Sequence, residues 1–165
     1  MNTDHRSLDI EAAPIHEVIH LEKTSSSCSL CEDYAEAQRS KPIAILSCEG
    51  ACLRGDISRQ AANILCHELM QQSTVRICLG GAFTKNAGQR GLVRNAEKVV
   101  ALEECPIDCA SRMMHGVLPD VPIQIIRTDQ LARFEKRLFG IDEMSHTDVR
   151  ACAREVALRI ADMLK

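Results

Sequence analysis

Ile43-Ala44-Ile45-Leu46-Ser47-Cys48-Glu49-Gly50-Ala51-Cys52 is a short aliphatic run that empties into a turn carrying two thiols. Consecutive apolar residues without polar alternation suit a strand buried on both faces, as in a parallel sheet covered by helices. The turn continues through Asp56, and Ser58 is placed to cap a helix whose apolar face carries Ala62, Leu65, Cys66 and Leu69. Downstream the pattern recurs. Thr74-Val75-Arg76-Ile77-Cys78-Leu79 reads as a second strand broken by Gly80-Gly81, and Gln89 to Ala96 as a helix of modest length. Lys98-Val99-Val100-Ala101-Leu102 reads as a third strand, and Cys105-Pro106 as the start of a helix reaching Met114, with proline at its first position. Ile123-Gln124-Ile125-Ile126 is the fourth strand. Thr147 to Leu164 closes the chain as an amphipathic helix with Val149, Cys152, Val156, Ile160 and Met163 on one face.

Strand and helix signals in alternation predict βαβ units. The expected fold is a small three-layer α/β domain, Rossmann-like or flavodoxin-like, with a parallel sheet of about four strands and helices on both faces.

Upstream of this pattern the chain changes character. Met1 to Pro14 is polar and aperiodic and reads as a loose terminus, while Ile15 to Leu21 has the composition of a short edge strand. Thr24-Ser25-Ser26-Ser27 reads as a flexible lead into Cys28-Ser29-Leu30-Cys31 and a helical pattern over Glu32 to Gln38. The expected organisation is therefore an N-terminal extension over 1–40, partly flexible and bearing a Cys-x-x-Cys, followed by a cysteine-rich α/β domain over 41–165.

At 165 residues the chain fits one domain. With 45% apolar residues but only 2% aromatic ones, its core must be aliphatic, and it lacks the exposed rings on which single-stranded nucleic acids stack. A net charge of -3 without a basic patch gives no sign of a nucleic-acid or membrane partner. No apolar run approaches the roughly 20 residues that span a bilayer, and the first residues lack a signal-peptide pattern. The expectation is a soluble cytoplasmic protein, with a homo-oligomer left open.

Nine cysteines in such a chain need a chemical reason, because a reducing compartment disfavours structural disulfides. Ligand sites of open parallel sheets lie beyond the carboxyl ends of the strands. Cys48, Cys78 and Cys105 each follow or end a predicted strand, and Cys52 and Cys109 lie four residues beyond Cys48 and Cys105. If Cys105 and Cys109 share a helix face, five sulfurs meet at one rim. Thiolates bind zinc in a closed tetrahedron or with one open position, and they also hold iron-sulfur clusters, so sulfur count alone does not name the metal. The bland alternative for this set is small, buried strand-end residues.

Cys28-x-x-Cys31 reads as half of a zinc knuckle, a redox pair, or two inert thiols on an arm. Cys66 and Cys152 lie on apolar helix faces and are expected to be buried. His67 and His115 are near cysteines in sequence but read as surface residues. Glu49, Glu103, Glu104 and Asp108 are candidates to orient a ligand or move a proton, with solvated surface charge the commoner fate. No Gly-rich phosphate loop is present.

Leu46-Ser47-Cys48-Glu49-Gly50-Ala51-Cys52, Cys78-Leu79-Gly80-Gly81 and Glu104-Cys105-Pro106-Ile107-Asp108-Cys109-Ala110 together resemble the DGC-domain family of bacterial proteins, which is described mainly by the zinc binding expected of it. The resemblance runs from Pro42 to Thr128 and implies Cys48, Cys78, Cys105 and Cys109 as metal ligands. The Asp-Gly that names the family is replaced here by Glu103-Glu104, and Cys28-x-x-Cys31 lies outside the resembling region. The leading functional expectation is metal binding for storage, delivery or sensing, with zinc as the ion. The alternatives are a zinc- or thiol-dependent enzyme using Cys52 or Cys109 as nucleophile, and an iron-sulfur redox or sensor protein.

Overall fold

The computed structural model of the chain describes residues 18–22, 25–26, 28–84, 87–135 and 137–165. The expected loose terminus over Met1 to Pro14, the start of the segment expected as an edge strand, and Thr24 and Ser27 lie outside these residues. Residues 18–22 form no strand.

Four strands, β1 (Ile43–Ser47), β2 (Thr74–Arg76), β3 (Lys98–Glu103) and β4 (Ile123–Arg127), make one parallel sheet in the order β2-β1-β3-β4. Alternate residues enter different cores. Ile45, Val100 and Leu102 face one layer, built from α2 (Leu53–Ile64), the π-helical turn at Leu65–Leu69 that extends it, and α7 (His146–Leu164). Ala44, Leu46, Val99 and Ala101 face the other, with α1 (Ser29–Ala37), α3 (Leu79–Phe83), α4 (Ala87–Asn95) and α5 (Cys109–Val117). A short α6 (Thr128–Leu131) follows β4. Both faces of the central strands are thus dry, which is why β1 from Ile43 to Leu46 and β3 from Val99 to Leu102 are aliphatic. The three-layer α/β domain with a parallel sheet is the architecture the alternation predicts.

The differences lie at element ends, where local rules compete. β2 stops at Arg76 as a strand; the Ile77 N–H still reaches the Ile45 carbonyl at 3.0 Å, but Cys78 has turned to cap α3. Ser58 does not start a helix. It is buried inside α2, and its hydroxyl donates to the Leu102 carbonyl at 3.0 Å, while Cys52 is the cap. Cys105 and Pro106 do not open a helix either: they form the turn before α5, whose cap is Asp108 in the left-handed region (φ 53°, ψ 51°). In α7 the apolar stripe is as expected except that Met163 is 54% exposed. Among the described residues, no helix is long and apolar enough to cross a membrane.

Candidate metal centre at the carboxyl edge of the sheet

β1 and β3 are neighbours, with Ser47 opposite Leu102 and the Cys48 N–H bonded to the Leu102 carbonyl at 3.0 Å. Their exits diverge. The loop after β1 leads to α2 on one face of the sheet, and the loop after β3 leads to α5 on the other. Strand order reverses at this point, and two loops leaving to opposite faces open a crevice there, which is where open α/β sheets bind ligands. Cys48 and Cys52 lie in the first loop; Cys105 and Cys109 lie in the second.

A glycine holds the first loop close. At Gly50 a Cβ would stand 3.3 Å from Cys48 Sγ, 3.6 Å from Glu104 Oε1 and 3.9 Å from Cys52 Sγ, so two sulfurs and a carboxylate gather round a bare α-carbon. Gly55, in the first turn of α2, is pressed on the same loop: a Cβ there would meet the Gly50 carbonyl oxygen at 2.8 Å and Gly50 Cα at 3.0 Å. Gly55 also donates its N–H to Cys52 Sγ at 3.4 Å, and Gly50 donates to Cys48 Sγ at 3.3 Å. The same device recurs at β2. Cys78 caps α3 by accepting the Gly81 N–H at 3.4 Å, so Cys52-Leu53-Arg54-Gly55 and Cys78-Leu79-Gly80-Gly81 share a Cys-Leu-x-Gly capping pattern with a buried leucine.

The second loop depends on two buried acids. Glu103 is fully buried; its carboxylate accepts from the Ala110 N–H at 3.3 Å, the Ser111 N–H at 2.7 Å and the Ser111 hydroxyl at 2.9 Å. A carboxylate at a helix N-terminus satisfies orphan amides and favours the helix dipole, so Glu103 anchors the first turn of α5 and with it Cys109. Glu104 is 6% exposed; its Oε1 stands by the same Gly50 α-carbon as Cys48 Sγ, and its carboxyl acts on the thiols of both Cys48 and Cys105. The expectation of solvated surface charge fails for both, because β3 carries them under the loops.

Electrostatics follow from this burial. Removal from water, then the neighbouring Glu104 carboxyl, pushes the Cys48 thiol far up from its ordinary value, against the pull of the Gly50 amide. Burial also pushes Cys105 up, with Glu104 and Cys109 adding to it. Cys109 acts electrostatically on both Cys48 and Cys105, so thiols of the two crevice loops are within electrostatic reach of one another. Cys78, the fifth, is exposed one strand over at β2. Its backbone N–H donates to Gln89 Oε1 at 2.9 Å, and its thiol stands beside Cys31. Gln89, buried on α4, was not legible as a partner: a single glutamine on an amphipathic helix carries no signal.

The histidines stay apart. His115 is exposed with its ring at the Val121 carbonyl, and His67 lines a 360 Å³ cleft with Cys78, Glu49 and Arg76. Arg76 clamps the β1 exit, donating to Ser47 Oγ at 2.5 Å and pairing with Glu49. Cys66 and Cys152 are buried in the α2/α7 core, as expected; burial pushes Cys66 up to about 11. All nine cysteines are free thiols.

A family model described as the DGC domain matches residues 44–156. The chain belongs to the DGC-domain family. That span holds β2, β3, β4 and all of β1 but Ile43, both crevice loops and part of α7, and leaves Cys28-x-x-Cys31 outside the DGC domain. No curated protein and no solved structure matches the chain.

Zinc is the ion that the DGC-domain resemblance implies, and the donor set suits it: four thiols with carboxylates beside them. Asp108 Oδ1 adds to this, being buried without a hydrogen-bond partner in the turn between Cys105 and Cys109. Donor geometry is a separate matter. Among the described residues no three His, Cys, Asp or Glu side chains stand grouped as they must to hold an ion. The donor chemistry of the crevice, thiols with carboxylates beside them, is of the kind that suits zinc.

Proposed function

We propose that the crevice between β1 and β3 binds a thiophilic metal ion, zinc first, through Cys48, Cys52, Cys105 and Cys109, with Cys78 as a fifth candidate ligand from the neighbouring strand. The observation that carries this reading is the gathering at Gly50, where Cys48 Sγ, Glu104 Oε1 and Cys52 Sγ stand 3.3, 3.6 and 3.9 Å from one Cβ position, with buried Glu104 acting on Cys48 and Cys105 together. A bound cation would take over from those thiol protons, leave Glu104 to orient ligands, and give Asp108 Oδ1 a compensating charge. Because binding expels protons from thiols held neutral by burial, the protein suits tight holding or sensing of an ion, released where thiols are protonated or competed for. Nine free thiols support a reducing compartment such as the cytoplasm as part of this reading.

The test is elemental analysis of anaerobically purified protein with Cys48→Ser and Cys105→Ser variants. Zinc near one equivalent in the parent, lost in both variants and reduced less in Cys78→Ser, is the expected result. Visible absorbance that bleaches in air would point to an iron-sulfur cluster on the same thiols. A colourless parent that refuses zinc at neutral pH would end the metal reading.

A further inference from the structure

Cys28-x-x-Cys31 precedes the DGC domain, yet tertiary contacts fix it against that domain. Tyr34 donates its hydroxyl to the Arg76 carbonyl at 3.1 Å, tying α1 to the end of β2, and Ala35 is buried in the core beneath. Glu32 Oε1 accepts the Gly88 N–H at 3.4 Å. The crossing of α1 over α4 needs glycine at position 88, where a Cβ would meet Ala35 Cβ at 2.7 Å and Glu32 Oε2 at 2.8 Å. Docked this way, the first turn of α1 presents its thiols to solvent at the tip of β2. Cys28 is exposed at the cap position and Cys31 is half-buried one turn on. The Cys31 N–H donates to the Cys28 carbonyl at 3.0 Å, which folds the Cys-x-x-Cys into the first turn of α1, and the two thiols act on each other electrostatically, with Cys78 adding to the effect on Cys31.

We propose that Cys28 and Cys31 form a reversible dithiol-disulfide pair that exchanges with a disulfide-bearing small molecule or protein at the β2 edge of the sheet. Two features favour redox exchange over a second metal site. The two cysteines share one closed turn at the start of α1, with the Cys31 N–H on the Cys28 carbonyl at 3.0 Å, and no three ligating side chains here stand grouped for an ion among the described residues. The exposed first thiol and the half-buried second also match the division of labour that exchange requires, one sulfur to attack an outside disulfide and one to resolve the adduct.

The step balances as follows. Cys28, having given its proton to solvent, attacks one sulfur of a disulfide RSSR; that S–S bond breaks, and the departing RS⁻ takes up a proton. Cys31 then gives up its own proton and attacks the Cys28 sulfur, forming the intramolecular bond and expelling the second RS⁻, which is protonated in turn. Two protein thiols lose two electrons together, and RSSR becomes two RSH.

The inference is independent of the metal reading, and its experiment reports on different thiols. Full-length protein is equilibrated with oxidised and reduced glutathione at graded ratios, quenched in acid, alkylated and mapped by peptide mass, with and without added zinc. A Cys28–Cys31 disulfide that forms and reverses with the ratio is expected. Cys31→Ser should accumulate a glutathione adduct at Cys28 that the parent resolves, and Cys28→Ser should lose the intramolecular bond. Three outcomes overturn the proposal: separate adducts at both positions in the parent, a dominant Cys31–Cys78 bond, or zinc protection of both thiols that disappears in Cys78→Ser. Cys28 is exposed at the cap of α1 and Cys31 only half-buried in its first turn, outside both cores, so loss of folding does not cloud the result.

Discussion

Two groups of thiols lie along one sheet edge and are built in opposite ways. In the crevice, Cys48, Cys52, Cys105 and Cys109 are carried by loops that leave adjacent strands for opposite faces, and buried Glu103 and Glu104 hold those loops. At the β2 rim, Cys28 and Cys31 are brought to Cys78 by a helix from outside the DGC domain. Burial and a carboxylate push Cys48 up, whereas backbone amides and the neighbouring thiol pull Cys28 down. The same side chain holds its proton more tightly in one place and gives it up more readily in the other, because desolvation and amide dipoles act with opposite sign.

The largest expected separation between the two regions comes from Glu103→Ala. It strips acceptors from two amides and a hydroxyl in a dry site, at about 1 to 3 kcal/mol per abandoned group, so a loss of about 3 kcal/mol or more in denaturant unfolding is expected. α5 should fray first. Hydrogen exchange that accelerates in α1 but not in α5 would contradict the anchoring role.

Alkaline pH should separate the buried thiols from those of the rim. Cys66 ionises at about 11 in the folded chain against 9.0 as a free thiol, so the folded state holds its proton longer. Stability from this group is complete below pH 9 and is lost as pH rises toward 11, by about 3 kcal/mol at 1.36 kcal/mol per unit. Cys66→Ala should flatten that alkaline decline in melting temperature while Cys28→Ala leaves it unaltered; equal slopes in all three proteins would refute the assignment.

Gly55→Ala forces a methyl into the Gly50 carbonyl and should cost about 1 to 3 kcal/mol, shifting the Cys48–Cys52 loop and weakening metal retention without affecting thiol exchange at Cys28. Metal content equal to the parent would show that the loop position is immaterial. The smallest effect is expected for Tyr34→Phe, about 1 kcal/mol from one lost hydrogen bond, read as faster proteolysis of α1 with the sheet unchanged. Protection of α1 equal to the parent would mean that Ala35 and Glu32 suffice to dock it.

Much of the fold was readable because it rests on periodicity. The runs at Ile43, Lys98 and Ile123 became strands at the expected places, and the stripe from Val149 to Ile160 became the buried face of α7. Helix starts were less readable. Ser58 has the better intrinsic capping chemistry, yet Cys52 caps α2 because Gly55 lets the loop close onto the helix; Pro106 suits a first helical position, yet Glu103 reaches up from β3 and sets the start of α5 at Cys109 instead. In both places a residue distant along the chain or a close backbone approach overrode a local preference.

The amino-acid sequence by itself determined the alternation that makes a parallel sheet, and it determined that thiols follow the strands, because both are properties of neighbouring residues. Only the tertiary structure decided which thiols share an environment. Strand order puts β1 beside β3 and leaves β2 at the edge, so Cys48 joins Cys105 while Cys78 meets Cys31. Burial is likewise a tertiary outcome: Glu103 and Glu104 look like ordinary surface acids until loops from both faces close over the end of β3 and take them out of water.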